Sequence, residues 1–442
     1  MHSNLRRECL IGLRQFVRRA SPPRHSLSTR ASFDALKFDS FFSRNGFNGL
    51  AAFPGANVTQ LGLGGASCKE RPSNAIAHAT AHPTVPAHPP TGLPITYRRT
   101  HSLTLKRLLS VYSELSKARL TILVVLSAMT SVALSPLPTT LPVLLATAAG
   151  TTFCAASANT LNQMQEVPFD AQMARTRNRP LVRRAISPVH ALGFALGTGA
   201  AGPAILWTCV NPTTAILGAA NIILYAGAYT YLKRRSVVNT WVGAVVGGIP
   251  PLMGWTACGG HLLPSTAYPI HFFLPSFLLP LDLSTLPIEF ANNPLAPMAL
   301  FMILFSWQFP HFNSLSHLVR SSYAQGGYHM LCVKNPNLNA LVSLRHALLL
   351  IPVCSILVPL SGLTTWAFAL TSLVPNLICS KYAWAFWQLG GEQHARKLFF
   401  ASLWYLPVVM GLMMVHKNGL DWMDWLLGEG GRDTHKAKDM TQ

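Results

Sequence analysis

The chain has 442 residues, of which half are hydrophobic and only 11% are charged, against roughly 25% in an ordinary soluble domain. Lys and Arg number 35 against 15 Asp and Glu, which gives a formal net charge of +20. Small basic clusters alternate with long uncharged stretches, whereas nucleic-acid-binding proteins concentrate basic residues on one soluble face. The composition therefore predicts a membrane protein and argues against a nucleic-acid partner. The eight cysteines occur singly and are predicted to be buried apolar residues rather than zinc ligands.

The N-terminal region has the composition of a targeting segment. Arginines and serines dominate the first thirty residues, and Glu8 is the single acid among them. This pattern is typical of a mitochondrial transit peptide, predicted over 1–35, although a disordered basic tail has a similar composition. Residues 36–104 are rich in Ala, Pro, His, Gly and Ser and are predicted to be a low-complexity linker. A membrane domain is then expected over 105–417 and a polar tail over 418–442.

Nine apolar windows follow residue 115, each close to the roughly 20 residues that a helix needs to cross a bilayer. Because backbone groups in lipid must pair internally and no alternation typical of a barrel is present, the windows predict an all-α, polytopic bundle. Their extents are 118–136, 139–160, 186–208, 213–232, 239–258, 295–312, 342–362, 364–387 and 398–416.

Basic residues mark one face of this bundle. They lie before the first window and in every second loop, so the positive-inside rule places the N-terminus and these loops on one side, the matrix side if the protein is in the mitochondrial inner membrane. The loop 261–294 on the opposite side is interpreted as a variable insertion. The basic positions are Lys106, Arg107, Lys117, Arg175, Arg177, Arg179, Arg183, Arg184, Lys233, Arg234, Arg235, Arg320, Lys334, Arg345, Lys381, Arg396 and Lys397.

One polar pattern stands out in this acid-poor region. Asn162, Glu166 and Asp170 recur every four residues and would share one face of a helix that Pro168 kinks or ends. Carboxylate and amide oxygens suit Mg²⁺, which usually shares its shell with substrate phosphates, and neighbouring arginines can bind phosphate bidentately. The pattern therefore predicts a metal–diphosphate site. The alternative is that the two carboxylates simply pair with Arg175 and Arg179.

The string from Asn162 to Arg179 resembles the signature of the UbiA superfamily of intramembrane prenyltransferases. Three more strings are similar to the superfamily's farnesyltransferases that act on protohaem IX (haem B), and the likeness covers roughly 105–415. The resemblance implies a UbiA-type helix bundle. The three strings run from Tyr229 to Arg234, from Gly247 to Trp255, and from Trp307 to Asn313 continuing at Tyr323 to Met330.

The resemblance also implies roles for individual residues. The acidic motif would hold Mg²⁺ and act in catalysis, basic and tyrosine side chains would bind the diphosphate, and histidines on the same face would contact haem. The implied metal and catalytic residues are Asn162, Glu166 and Asp170; the diphosphate-binding residues are Arg175, Arg179, Tyr229, Lys233 and Arg234; the haem-binding residues are His311 and His317.

The implied reaction transfers the farnesyl group of farnesyl diphosphate to a haem B vinyl group and makes haem O. That product serves haem A biosynthesis and cytochrome c oxidase assembly, so a haem A synthase is an expected partner and a homo-oligomer an expected state. An allylic cation needs a dry, aromatic chamber. Each aromatic candidate for this chamber is equally compatible with an ordinary membrane-core role. These candidates are Trp241, Trp255, Phe305, Trp307 and Phe309.

Two departures from the family pattern bear on the prediction. Ser321 and Ser322 occupy the place of a usual second acidic motif, so a second metal is either absent or held by Asn313, a serine and water. Ala118 replaces a proline near the start of the first window. The alternatives are a polyprenyltransferase acting on an aromatic acceptor such as 4-hydroxybenzoate, and a non-enzymatic carrier or scaffold.

Overall fold

The computed structural model describes residues 104–275 and 292–419, and all regular elements within these ranges are helices. An isolated antiparallel bridge between Thr364 and Lys417 is the one β-type pairing described there. The prediction of an all-α chain is therefore confirmed. The expected transit peptide, nearly all of the expected linker, most of the expected tail and the middle of the loop 261–294 lie outside the described residues.

Thirteen helices, labelled α1 to α13 along the chain, make up the described fold. In order they are Leu105–Leu115, Ala118–Leu134, Leu141–Asp170, Pro188–Cys209, Pro212–Leu232, Asn239–Ala257, Leu295–Leu318, Arg320–Gln325, Leu331–Lys334, Pro336–Leu360, Ala367–Thr371, Leu373–Leu389 and Gly391–Val415. Some long helices pack against their neighbours in sequence, such as α3 against α4 and α12 against α13, and others pack against more distant helices, such as α2 against α6 and α7 against α13.

The expected count of nine spans is not confirmed. Six of the described helices are long and apolar enough to cross a membrane, and a seventh span results if α1 and α2, bent by 59°, are counted together. The window 364–387 is divided by the break after Thr371, which leaves α12 with 17 residues. α6 is a single helix of 19 residues that contains Pro250 and Pro251.

Two of the long helices contain π-helical segments, which the apolar windows did not predict. Ile223–Tyr229 forms one within α5, and Val353–Leu357 forms the other within α10. A π-turn widens the helix and leaves carbonyl groups to find other partners, and such segments are frequent at functional sites. In α5 the carbonyl of Ala226 accepts a hydrogen bond from Gln165 Nε2 at 2.8 Å, so this segment is tied to α3.

Buried apolar side chains form several clusters in the bundle, two of which join its long helices. One cluster of buried side chains joins α3, α4, α5 and α6 through Cys154, Leu206, Ala215 and Met253. A larger cluster joins α7, α10, α12 and α13. α6 also packs tightly against α2, because a Cβ on Gly254 would lie 2.0 Å from the carbonyl oxygen of Ala128. Small residues permit this kind of close backbone approach in membrane bundles.

The cysteine prediction is correct for most of the described positions. Cys154, Cys332, Cys354 and Cys379 are buried and free. Cys209 is exposed and Cys258 half-buried, so the prediction of a buried side chain is wrong for Cys209. Cys209 is the last residue of α4, where the chain turns towards α5 and packing ends.

Candidate active site

The predicted acidic pair lies at the C-terminal end of α3. Helix α3 continues through Pro168 and ends two residues later, at Asp170. Glu166 is 3% exposed and Asp170 is fully buried. Two carboxylates buried within one helical turn of each other are costly unless cations and hydrogen-bond donors surround them.

Two basic side chains supply that compensation. Arg179 Nη1 contacts Asp170 Oδ2 and lies 3.3 Å from Glu166 Oε2, so this guanidinium bridges both carboxylates. Lys233 directly follows the end of α5, and its Nζ donates a hydrogen bond of 2.8 Å to Glu166 Oε1. Burial alone would lower the pKa of Lys233, but the Glu166 carboxylate raises it well above its ordinary value. The pKa of Arg179 is also raised, because Asp170 and Glu166 outweigh its burial.

The third residue of the pattern, Asn162, is held by two other helices. Its Nδ2 donates to Thr230 Oγ1 at 2.9 Å, and its Oδ1 accepts from Lys117 Nζ at 2.9 Å. Lys117 lies in the break between α1 and α2 with a φ of 49°, in the left-handed region. Its ammonium also donates to the hydroxyl of Tyr225 at 3.2 Å. In the sequence, Lys117 was interpreted only as one of the basic residues that mark the positive-inside face, and its contacts with Asn162 and Tyr225 were not predicted.

Tyrosines line the cationic side of the site. Tyr225 and Tyr229 stack on the π-helical segment with their ring centroids 5.3 Å apart. Lys233 Nζ lies 4.6 Å from the Tyr229 centroid and 5.9 Å from that of Tyr328, distances at which the aromatic faces stabilise the ammonium. The Tyr328 hydroxyl is buried and makes no hydrogen bond within the described structure. Tyr225 and Tyr328 were not predicted, although Tyr225 stands one turn before the predicted Tyr229.

The two remaining predicted phosphate ligands lie at the edge of this cluster. Arg175 Nη2 donates to the hydroxyl of Tyr323 at 3.4 Å, and its guanidinium lies 5.7 Å from that ring. Arg234 stacks over Phe169 at 4.9 Å. Among the ion pairs of the described residues, Arg179 pairs with both acids, as the alternative interpretation predicted, and the described contacts of Arg175 are with Tyr323.

The residues present fit a divalent cation at the acidic pair. Asp170 Oδ1 is buried and has no hydrogen-bond partner among the described residues, so one carboxylate oxygen is available for a ligand. Glu166, Asp170 and Asn162 supply hard oxygen atoms of the kind that Mg²⁺ prefers. Within the described ranges, no three His, Cys, Asp or Glu side chains lie close enough together to hold a metal ion by themselves. Any metal here would therefore complete its shell with amide, water or phosphate oxygens.

At the possible second metal position, Asn313 Oδ1 is buried and has no hydrogen-bond partner among the described residues, so one amide oxygen is available there. Asn313 Nδ2 donates to the carbonyl of Asn339, and Asn339 Nδ2 donates to the carbonyl of Asn313. This reciprocal pair joins α7 to α10. Ser322, on the short helix α8, is only half-buried.

The two predicted haem ligands lie on α7 in apolar surroundings. His311 is stacked between Trp307 at 4.7 Å and Phe399 at 5.1 Å, and its Nδ1 shares a hydrogen bond with Ser402 Oγ at 3.0 Å. His317 is 8% exposed, and its Nδ1 has no partner among the described residues. The structure brings neither imidazole into contact with the carboxylates.

The five aromatic candidates for a dry chamber lie in different places, with Trp307 stacked on His311. Trp241, Phe305 and Phe309 form one cluster, in which Phe309 lies 5.8 Å from Trp241 and 5.3 Å from Phe305 between ring centroids. Trp255 is fully buried in the large core cluster, and its Nε1 donates to the carbonyl of His261. Trp255 therefore has a packing role in the core.

Sequence comparison assigns this bundle to a family. Residues 122–404 match the UbiA prenyltransferase family, which is well over half of the chain. The chain belongs to this family. The solved structure of a digeranylgeranylglyceryl phosphate synthase superposes with a TM-score of 0.52 at 14% identity, over 70% of this chain and 98% of that one, and so shares its fold.

Fungal relatives within the UbiA family are much more similar in sequence. A protein of Yarrowia lipolytica named "Protoheme IX farnesyltransferase, mitochondrial" is 45% identical over 74% of this chain and 65% of its own length. Proteins of the same name in Neurospora crassa and Eremothecium gossypii are 46% and 40% identical, over 62% and 72% of their lengths. The chain thus spans somewhat less than two thirds of the first two of these relatives.

Proposed function

We propose that this UbiA-family chain transfers the farnesyl group of farnesyl diphosphate to a vinyl group of haem B and so makes haem O. The buried pair Glu166 and Asp170, bridged by Arg179 and neighboured by Lys233, is the observation that carries the proposal. The identity of 40–46% to fungal proteins named protoheme IX farnesyltransferase supports the choice of substrates.

The polar cluster would act on the leaving group. As the bond between C1 and oxygen of the farnesyl diphosphate breaks, negative charge grows on the diphosphate, and fixed cations stabilise that charge most in the transition state. Lys233 and Arg179 can donate to phosphate oxygens when the carboxylates turn towards a metal. Mg²⁺ held by Asn162, Glu166 and Asp170 would neutralise further charge on the leaving group. Arg175, Tyr229 and Arg234 would contact the diphosphate at the edge of the site.

The acceptor side would bind haem B. The allylic cation left by diphosphate departure forms a carbon–carbon bond with the vinyl group, water adds to the resulting cation, and a proton is released. His311 and His317 are the proposed haem contacts, because a neutral imidazole ligates haem iron readily. Only Nδ1 of His311 is used by Ser402, which leaves Nε2 for a ligand.

The cellular setting follows from the same assignment. We place the protein in the mitochondrial inner membrane, with the N-terminus and the basic loops on the matrix side. There its product would pass to a haem A synthase for cytochrome c oxidase assembly. The fungal relatives' names include the word mitochondrial, and the Arg-rich N-terminus agrees with that location.

The test uses the purified full-length protein in detergent with reduced haem B, farnesyl diphosphate and Mg²⁺, followed by mass analysis of the extracted porphyrins. We expect a haem whose mass has increased by one farnesyl group plus one hydroxyl group, because water adds to the cation and a proton is released. Asp170→Asn should give no product while remaining folded, because it removes the charge beside the available oxygen. Glu114→Gln is the matched control, since Glu114 is exposed and paired with Arg183 outside the cluster.

Other outcomes would redirect the assignment. Farnesylation of an aromatic acid such as 4-hydroxybenzoate, without any haem product, would identify an aromatic-acceptor prenyltransferase. Full activity of Asp170→Asn would refute the role of the acidic pair. A folded protein that consumes no farnesyl diphosphate with either acceptor would overturn the proposal in favour of a carrier or scaffold.

A further inference from the structure

We propose that a groove between α12 and α13 binds an anionic phospholipid, with an acyl chain in the groove and the phosphate between Lys381 and Lys397. The groove lies on the second half of the bundle, among helices that hold none of the acidic or diphosphate-binding residues. The proposal is therefore independent of the prenyl transfer.

The groove itself is apolar and of a size that suits one hydrocarbon chain. Its walls include Ile378, Tyr382, Ala401 and Trp404. Its volume of about 530 Å³ lies within the range of about 300–1,000 Å³ that is usual for small-ligand pockets. It runs along α13 from Lys397 to Val408, a distance of about 16 Å at 1.5 Å per residue. A methylene chain lying there would contact side chains on two helices instead of only other lipid chains.

Lys397 lines one end of this groove, and a second lysine, Lys381, lies at a similar depth on the other helix. Lys397 is six residues from the start of α13 and Lys381 is eight residues from the end of α12, which puts them at similar depths of about 9 and 12 Å from the helix ends. Both side chains are exposed, and the four ion pairs of the described residues include neither of them. A lysine at this depth extends its ammonium towards the headgroups and favours an anion there.

Tryptophans identify the headgroup level at the same end. Trp384 and Trp387 follow Lys381 within two turns, are 53% and 36% exposed, and lie edge to face at 5.3 Å. Exposed tryptophans collect at the membrane–water interface. A phospholipid bound here would place its phosphate near the two lysines, at the level of the tryptophans, and an acyl chain in the apolar groove.

Charge distinguishes an anionic lipid from the other possible occupants. A zwitterionic lipid also has a phosphate, but its own cationic headgroup leaves it no net negative charge to offset the two lysines. A second copy of the chain would have to supply exposed carboxylates, yet the exposed acids within the described ranges are Glu114, which pairs with Arg183, and Glu392. Basic pockets between transmembrane helices are a recognised binding mode for anionic phospholipid headgroups.

The test is native mass spectrometry of the full-length protein, released from nanodiscs that contain equal amounts of phosphatidylglycerol and phosphatidylcholine of the same chain length. We expect the wild-type protein to retain phosphatidylglycerol preferentially. Since one basic residue near the membrane surface contributes a factor of about five, the double variant Lys381→Gln, Lys397→Gln should bind phosphatidylglycerol at least about tenfold more weakly. Lys334→Gln is the control for lost charge, because Lys334 is exposed on α9 away from the groove.

A second variant tests the groove without a change of charge. Ala401→Trp fills the groove and should release the lipid while both lysines remain; circular dichroism would verify that the variant is folded. Equal retention of phosphatidylglycerol and phosphatidylcholine by the wild type would overturn the proposal. So would unchanged retention in both variants, or a shift of the wild-type protein to a dimer that the Ala401→Trp variant abolishes.

Discussion

Lys117 Nζ and Asn162 Oδ1 lie 2.9 Å apart, and this contact joins the break between α1 and α2 to the acidic face of α3. Thr230 accepts from the other end of the same amide, so the orientation of Asn162 is fixed by helices on both sides. The amide oxygen of Asn162 that would ligate a metal ion is therefore already hydrogen-bonded to the Lys117 ammonium. A diphosphate bound at this position would lie close to both the metal ion and this ammonium.

We predict that Lys117→Met weakens diphosphate binding and lowers the rate of prenyl transfer. A hydrogen bond from a charged group contributes about 1.5–3 kcal/mol, so the affinity for inorganic diphosphate in the presence of Mg²⁺ should fall by about one to two orders of magnitude. Isothermal titration calorimetry measures this directly. Lys106→Met is the matched control, because Lys106 is an exposed lysine on α1. Equal affinity in the two variants would refute the role of Lys117.

A second prediction concerns the missing acidic motif. Ser322→Asp places a carboxylate on α8, next to Tyr323, whose hydroxyl accepts from Arg175. If Asn313 and nearby oxygens form a degenerate second site, the new carboxylate should raise the affinity for Mg²⁺, measured as the concentration that gives half-maximal activity. Ser321→Asp, on the exposed neighbouring position, is the control. An unchanged Mg²⁺ dependence in Ser322→Asp would mean that only the first site binds metal.

The pH dependence follows from the charges around Glu166. The raised pKa of Lys233 means that, as long as Glu166 is ionised, their ion pair stabilises the fold up to the ordinary lysine value and is lost as the pH rises through the raised value. Arg179 behaves in the same way. We therefore expect the contribution of these two cations to diphosphate affinity to be flat between about pH 7 and 9. Calorimetric titrations of the Lys117→Met variant across that range, corrected for the ionisation of diphosphate itself, would contradict this if the affinity fell steeply near the middle.

The site could be predicted from the sequence where its residues are local in the chain. The four-residue spacing of Asn162, Glu166 and Asp170 requires one helix face whatever the rest of the fold, and the structure has that helix. The contacts of Lys117 depend on how α2 packs against α3 and α5, over separations of 45 and 108 residues. No local pattern contains such information, and the resemblance alone did not supply it.

For the fold, the sequence likewise predicted the local features but not those that depend on packing between helices. Hydropathy located the apolar stretches, since burial in lipid acts on each stretch independently. The π-helical segment Ile223–Tyr229 was not foreseen, because a five-residue hydrogen-bonding turn competes closely with the α-helix and is decided by tertiary partners such as Gln165. The break after Thr371 likewise separates two helices within one apolar window.

The last prediction concerns the contact between α2 and α6. Gly254→Ala would place a methyl carbon 2.0 Å from the carbonyl oxygen of Ala128, and because that atom belongs to a helix backbone it cannot rotate away. Overpacking of this kind costs about 1–3 kcal/mol, so the variant should unfold at a lower temperature in detergent. Gly227→Ala is the control, since a Cβ there meets nothing within 4 Å. Scanning fluorimetry distinguishes them, and equal unfolding temperatures would show that the two helices can separate at no cost.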